Sequence, residues 1–193
     1  MGGYGGYVLL GLLALIALWA VRAYNNLVLN RQRVEEGWSG VDVQLRRRAN
    51  LIPNLVETVK GYATHEQDTL EKITELRRQS DSAEAAGDTT KRAAAEGQMS
   101  GALMHLFAVA ENYPDLKANQ NFLDLQSNLT EIEEQIQLSR RYYNGAVRQL
   151  NVLVESVPSN LIANNFGFQK AVYFEVPDEE GRAVPQVSFS TPS

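Results

Sequence analysis

Apolar residues return along most of this chain at steps of three, four and seven. Leu27, Val34, Trp38, Val41, Leu45, Ala49, Ile52, Leu55, Val56, Val59, Tyr62, Ala63, Leu70, Ile73 and Leu76 form one such series. That spacing predicts a long amphipathic helix with a single buried stripe. A second series, Met99, Leu103, Leu106, Phe107, Ala110 and Tyr113, predicts another helix. It closes at Tyr113-Pro114, because a residue before proline avoids the helical region. The most regular series is Phe122, Leu125, Leu129, Ile132, Ile136, Ser139, Tyr143, Ala146, Leu150, Leu153 and Val157. This heptad seam predicts a rod from Asn119 to Ser156, about 57 Å long at ~1.5 Å per residue. Such a rod cannot cover its stripe alone. It predicts antiparallel packing on the first helix, extended by self-association.

Between the series the pattern lapses. "RQSDSAEAAGDTTK", from Arg78 to Lys91, gathers Ser, Asp, Gly and Thr and reads as a loop or frayed connection. After Pro158, "SNLIANNFGF" reads as a short helical turn ending near Gly167. Ala171–Val176 and Val184–Phe189 read as extended runs about a turn at Asp178–Gly181, forming a hairpin or an arm laid over the bundle.

The first two dozen residues differ in kind. From Gly2 to Val21 no side chain is charged, about the ~20 residues a membrane-spanning helix needs. Tyr4, Tyr7, Trp19 and Tyr24 lie near its ends, where aromatic belts form. A cleaved signal peptide competes with this reading, but no Lys or Arg precedes the apolar run. No strong breaker follows Tyr24, so the span is expected to run directly into the first bundle helix. Gly11, Ala14 and Ala17 begin a series of small residues at every third position, a weak signal for contact between anchors in an oligomer. Arg22, Arg31 and Arg33 follow the span and no basic residue precedes it. The positive-inside rule therefore favours a cytoplasmic domain.

The fold class expected is all-α. A transmembrane helix precedes an antiparallel long-helix bundle of three to four helices, and a short extended arm ends the chain. The divisions fall at 1–24, 25–168 and 169–193.

The net charge of −5 argues against nucleic acid as a partner. The absence of cysteine excludes disulfides, thiol catalysis and cysteine-ligated zinc. Arg46, Arg47 and Arg48 are the densest basic cluster and the candidate contact for lipid head groups or a partner protein. Arg46 and Arg47 fall off the apolar stripe, and Arg48 sits at its margin with its aliphatic stem along the seam. Pro53 lacks an N–H and should kink the helix there, freeing the Ala49 carbonyl. His65 and His105 have no Glu three residues before them, so the carboxylate-histidine pattern of di-metal bundles is missing. His65-Glu66 begins like a zinc-protease motif, but Thr69 stands at the second histidine position. No catalytic residue, cofactor or metal is predicted. The alternative is a metal-dependent sensor or enzyme using Arg46–Arg48, His65 and Glu66 near the Pro53 kink.

Tyr24-Asn25 and "VEEGWSGVDVQLRRRANLIPNLVETVKGYATHE", from Val34 to Glu66, resemble the LemA family. So do "ENYPDLKANQNFLDLQSNL" (Glu111 to Leu129), "RRYYNGAVRQLN" (Arg140 to Asn151) and "VPSNLIANNFGF" (Val157 to Phe168). Gly37 stands where relatives often carry Ala, with no consequence readable from the sequence. The resemblance implies a membrane-anchored helical bundle in a bacterial plasma membrane, in a family without established catalysis. Some relatives carry a lipoprotein cysteine before the matching Tyr-Asn, which implies an extracytoplasmic domain. Relatives in magnetosome-forming bacteria imply a role in organising membranes. The expectation is a non-enzymatic scaffold in the lipid bilayer, a homo-oligomer that recruits an unidentified protein partner.

Overall fold

The computed structural model describes residues 3–63 and 66–175, with side chains from residue 5 onward. His65, the turn at Asp178–Gly181 and the run Val184–Phe189 lie outside the described residues. The described residues are mostly helical, with no strand among them. The elements are α1 (Gly3–Lys60), α2 (Gln67–Ala85), α3 (Thr89–Ala110), α4 (Pro114–Lys117), α5 (Gln120–Glu155) and α6 (Ser159–Asn165).

Helix α1 is one unbroken element of 58 residues, about 87 Å long at ~1.5 Å per residue. Its first third stands clear of the bundle: Tyr7, Leu10, Leu15 and Leu18 are all exposed. The interior begins at Leu27, which is fully buried. Pro53 lies inside the helix and faces solvent, so water can take the carbonyl that its missing N–H leaves free. The stripe predicted to continue through Leu76 is broken, however. Helix α1 ends at Lys60, where Tyr62 N and Ala63 N both donate to the Val59 carbonyl. Gly61 follows directly, a poor helix former that does not favour continuing the helix. Leu70, Ile73 and Leu76 belong to α2.

The Arg78–Lys91 segment is also corrected. Most of it is helix, because Ser80 and Ala83 continue the stripe as small buried residues. The true turn is only Ala86–Asp88. Gly87, at φ 66°, takes the left-handed conformation that closes α2, and Asp88 N donates back to the Ala83 carbonyl at 2.9 Å. Asp88 then caps α3 by accepting from Lys91 N at 2.9 Å. That N–H holds the Asp88 carboxyl below its usual range.

Helices α1 and α5 run antiparallel along most of α5. Gly37 meets Tyr143, Arg48 meets Glu133, and Tyr62 meets Asn119. Helices α2 and α3 form an antiparallel hairpin, with Ser80 against Glu96 and Glu84 against Arg92. The core has two parts. In the part far from the bare segment of α1, Ile52, Leu55 and Val59 pack with Leu70 and Ile73 of α2, Met99 and Leu106 of α3, and Phe122 and Leu129 of α5. In the near part, Leu27, Val34, Val41 and Leu45 pack with Ile136, Tyr143 and Val147, covered by Ala163, Phe168 and Phe174.

Gly37 explains how closely the two long helices approach. A Cβ there would lie 3.1 Å from the Tyr143 Cα and 3.2 Å from Cδ1 of Tyr142. Alanine requires its neighbours to give by a few tenths of an ångström, whereas a larger side chain must part the helices. Gly37→Leu is expected to cost about 1–3 kcal/mol of stability, as overpacked core sites do. Thermal unfolding followed by circular dichroism, with Gly37→Ala as the mild comparison, measures this.

The described part of the arm, residues 169–175, lies over the bundle. Gly167, at φ 70°, turns the chain back, and Phe168 N donates to the Ala163 carbonyl. Two asparagines of α5, one heptad apart, then hold the arm by its backbone. Asn151 Oδ1 accepts from Ala171 N at 2.8 Å while its Nδ2 donates to the Ala171 carbonyl at 3.0 Å. Asn144 repeats this with Phe174, at 2.9 and 3.1 Å. Each amide does for one arm residue what a neighbouring strand would do. Tyr143 Oη donates to the Val172 carbonyl at 2.7 Å.

Burial raises the Tyr143 phenol above its ordinary value. The neutral form is therefore favoured in the folded state. The associated stability is whole below the ordinary tyrosine range near 10 and falls as the pH climbs through and above it. We expect the wild-type arm to lose amide protection above that pH, and Tyr143→Phe to weaken the arm already at neutral pH. Hydrogen exchange read at residues 171–175 distinguishes the two.

Candidate functional site

The arginine triplet divides by helix geometry. Arg46 and Arg47 are exposed, and Arg47 Nη1 donates to Gln44 Oε1 on its own helix. Arg48 is 1% exposed. The expectation that Arg48 belongs to an outward contact for lipid or protein is corrected: its guanidinium points between the helices.

There it holds three elements together and reaches a fourth through its partner. Nη2 pairs with the Glu96 carboxylate of α3 and donates to the Glu96 carbonyl at 3.1 Å. Nη1 pairs with Glu133 of α5 at 2.5 Å and donates to Ser100 Oγ of α3 at 2.8 Å. Ser80 Oγ of α2 donates to the other Glu96 oxygen. One side chain thus fixes the level at which α1, α3 and α5 meet, with α2 tied in by a hydroxyl. This layer lies between the two apolar cores. Arg48 separates Leu45 from Ile52, Glu96 separates Ala93 from Met99, and Glu133 follows Leu129 and Ile132. A buried pair of this kind adds little net stability over an apolar equivalent, but loss of one partner strands a charge.

A second charged layer lies one to two turns toward the bare segment. Arg46 bonds Asp42 at 2.8 Å and Glu84 at 2.5 Å. Arg92 forms ion pairs with the same two carboxylates, at 2.7 and 2.9 Å. Two arginines and two acids thereby close a ring joining α1, α2 and α3. The Arg92 guanidinium also lies over Trp38, 5.6 Å from the ring centre. Trp38 in turn packs against Tyr143 and Phe174, so the ring of charge reaches the docked arm. The spacing of four between Asp42 and Arg46 makes that pair readable from sequence, but sequence reasoning missed Glu84, Arg92, Glu96 and Glu133. The available signal was Arg92 and Glu96, charged residues on the stripe that leads to Met99 and Leu103.

These groups are chemically spent. Arg46, Arg48 and Arg92 are each neutralised by carboxylates, and no nucleophile stands among them with a free base. Glu66 accepts from the Tyr113 hydroxyl at 3.1 Å, and His105 is exposed on α3. Among the described residues no group of His, Asp or Glu is arranged to hold a metal. The structure does not bring Arg46–Arg48 into a cleft at Pro53. Gly11, Ala14 and Ala17 lie on the bare part of α1 and face open space.

What these features define is a helical bundle clamped by internal ion pairs and carried on an apolar helix long enough to cross a membrane, none of whose apolar window is buried. Residues 37–189 match the family model described as the LemA family, and the chain belongs to that family. It is 29% identical over 189 residues to Magnetosome protein MamQ 2 of Paramagnetospirillum magneticum, across 86% of this chain and 69% of that protein. It is 24% identical over 188 residues to Magnetosome protein MamQ of Magnetospirillum gryphiswaldense, with the same coverage of each chain. It is 24% identical over 159 residues to Protein LemA of Metamycoplasma hominis, across 81% of this chain and 70% of that one.

Proposed function

We propose that this protein is a single-pass membrane scaffold without catalysis, which holds a rigid helical bundle at a fixed place beside the bilayer and self-associates. The observation that carries this is the continuity of α1. One helix supplies both the bare apolar segment and the central rod of the bundle, with no loop between them. The relatives named as magnetosome proteins support a role at an organised membrane. The charged clamps are built for rigidity, and neither presents a reactive group.

Self-association is placed in the bare segment, where Gly11, Ala14 and Ala17 allow close approach of a second anchor. Arg47 and the exposed edge of Arg46 remain available to a protein partner. They lie about 36 Å along α1 from Arg22, several screening lengths from lipid head groups. The positive-inside rule supports a cytoplasmic bundle in the plasma membrane. Alkaline extraction of membranes, followed by mass measurement in mild detergent, tests the proposal. The intact chain should stay with the membrane and run as an oligomer. Release by carbonate would end the spanning reading, and a strict monomer at micromolar concentration would end self-association. Elemental analysis of the same sample checks the competing metal-dependent sensor, since a stoichiometric metal would favour it.

A further inference from the structure

The bundle has a base, the end from which the bare part of α1 emerges, and its surface chemistry is unusual. From Ser156 to Gln169 the chain carries no charged side chain. The flanking Glu155 and Lys170 neutralise each other at 2.7 Å. Within this stretch Val157 is 79% exposed, Leu161 59% and Phe166 63%. The antiparallel register of α1 and α5 brings the end of α5 level with Tyr24. Phe166 confirms the level directly, its ring centre 4.9 Å from that of Tyr24. Tyr24 is two residues beyond Arg22, the first charge after the apolar run. The exposed apolar side chains therefore lie at the end of the bundle from which the apolar segment of α1 emerges, with Phe166 against α1 itself. Ser159 Oγ is already bonded to the Leu153 and Ser156 carbonyls, so this hydroxyl is satisfied without water.

We propose that this base, formed by Val157, Leu161 and Phe166, is a second membrane contact that sits in the head-group and upper acyl region of the bilayer crossed by α1. It rests on the spanning reading of α1. Arg22 then extends its charge to the phosphates, and Tyr24 and Phe166 act as interfacial aromatics. The partner is the lipid interface and not another protein, because the apolar surface is continuous with the segment already in contact with lipid. Two contacts at the foot of the bundle fix its rotation about α1 as well as its height.

The lack of cysteine makes the test direct, since any introduced thiol is unique. Val157→Cys and Leu161→Cys, labelled with an environment-sensitive fluorophore, are reconstituted as full-length protein in phosphatidylcholine vesicles. Some vesicles contain lipid with a nitroxide high on the acyl chain. Leu15→Cys reports the spanning segment. Met104→Cys, exposed on α3 at the far core, reports a site away from lipid. Labels at Val157 and Leu161 should lose most of their emission to the nitroxide, as should Leu15, while Met104 keeps its own. Quenching at Leu15 alone overturns the proposal and leaves the anchor intact. Quenching at Val157 and Leu161 but not Leu15 removes the spanning reading, and with it the proposal of a second contact. A blue-shifted emission at Val157 and Leu161 that the nitroxide leaves untouched places a second copy of the chain on this face and overturns the lipid contact.

Discussion

Arg48→Ala should cost about 3–5 kcal/mol of bundle stability, as expected when one partner of a buried ion pair is deleted. The substitution leaves Glu96 charged, buried beside Ser80 and without its cation, while Glu133 is partly exposed and can rehydrate. Arg48→Lys should rescue only part of the loss. One ammonium cannot reproduce the fork that spans Glu96, Ser100 and Glu133 together. Replacing Arg48, Glu96 and Glu133 together with Met or Leu should recover most of the stability, because no charge is then stranded. Thermal unfolding of the full chain in mild detergent measures all three variants. If Arg48→Ala melts like wild type, the layer between the two cores is not the clamp described above. If the apolar triple is as weak as the single change, the layer contributes stability itself and does more than set register.

Phe174→Ala is expected to give the second large effect, but a local one. Truncating a buried Phe costs about 3–5 kcal/mol where the whole fold must absorb it. Phe174 lies on an arm held by Asn144, Asn151, Tyr143 and its own packing on Trp38. The arm can lose no more than its own docking free energy before it detaches. Helical dichroism should therefore barely change, while amide protection at residues 171–175 collapses and trypsin cuts faster after Lys170. A lower melting temperature of the bundle without arm release would show that the arm and the near core unfold as one unit.

The long elements were legible because their signal is repetitive. Helix α5 runs Gln120–Glu155, one residue inside each predicted limit. The end predicted at Tyr113-Pro114 falls three residues late: α3 stops at Ala110, and Pro114 opens the short helix α4, where a first-turn proline loses no hydrogen bond. Val157 marks where that logic ended: its spacing fits the seam, yet the chain has already left the helix at Ser156. Small residues caused the larger misreading. Ser80 and Ala83 fill a stripe that a search for large apolar residues does not see, so helix was taken for loop. The break after Lys60 was hidden because Ala63 and Leu70 keep a plausible spacing across it. Arg48 shows the limit of periodicity for function. Its place at the margin of the stripe was readable, but its direction depends on Glu96 and Glu133, which only the packed bundle brings near. The asparagine pair that holds the arm was unreadable for the same reason, since Asn144 and Asn151 resemble surface residues until the arm returns to them.

The unbroken course of α1 has a mechanical consequence. With no joint between the apolar segment and the bundle, the helix beyond Arg22 is a stiff lever of about 57 Å. Helices tilt to match the thickness of the bilayer around them, so a change in tilt of about 10° would sweep the far tip through roughly 10 Å. On the proposed spanning reading, thickness or curvature of the sheet of lipid would be geared into lateral displacement at a distance, with the foot of the lever as its fulcrum.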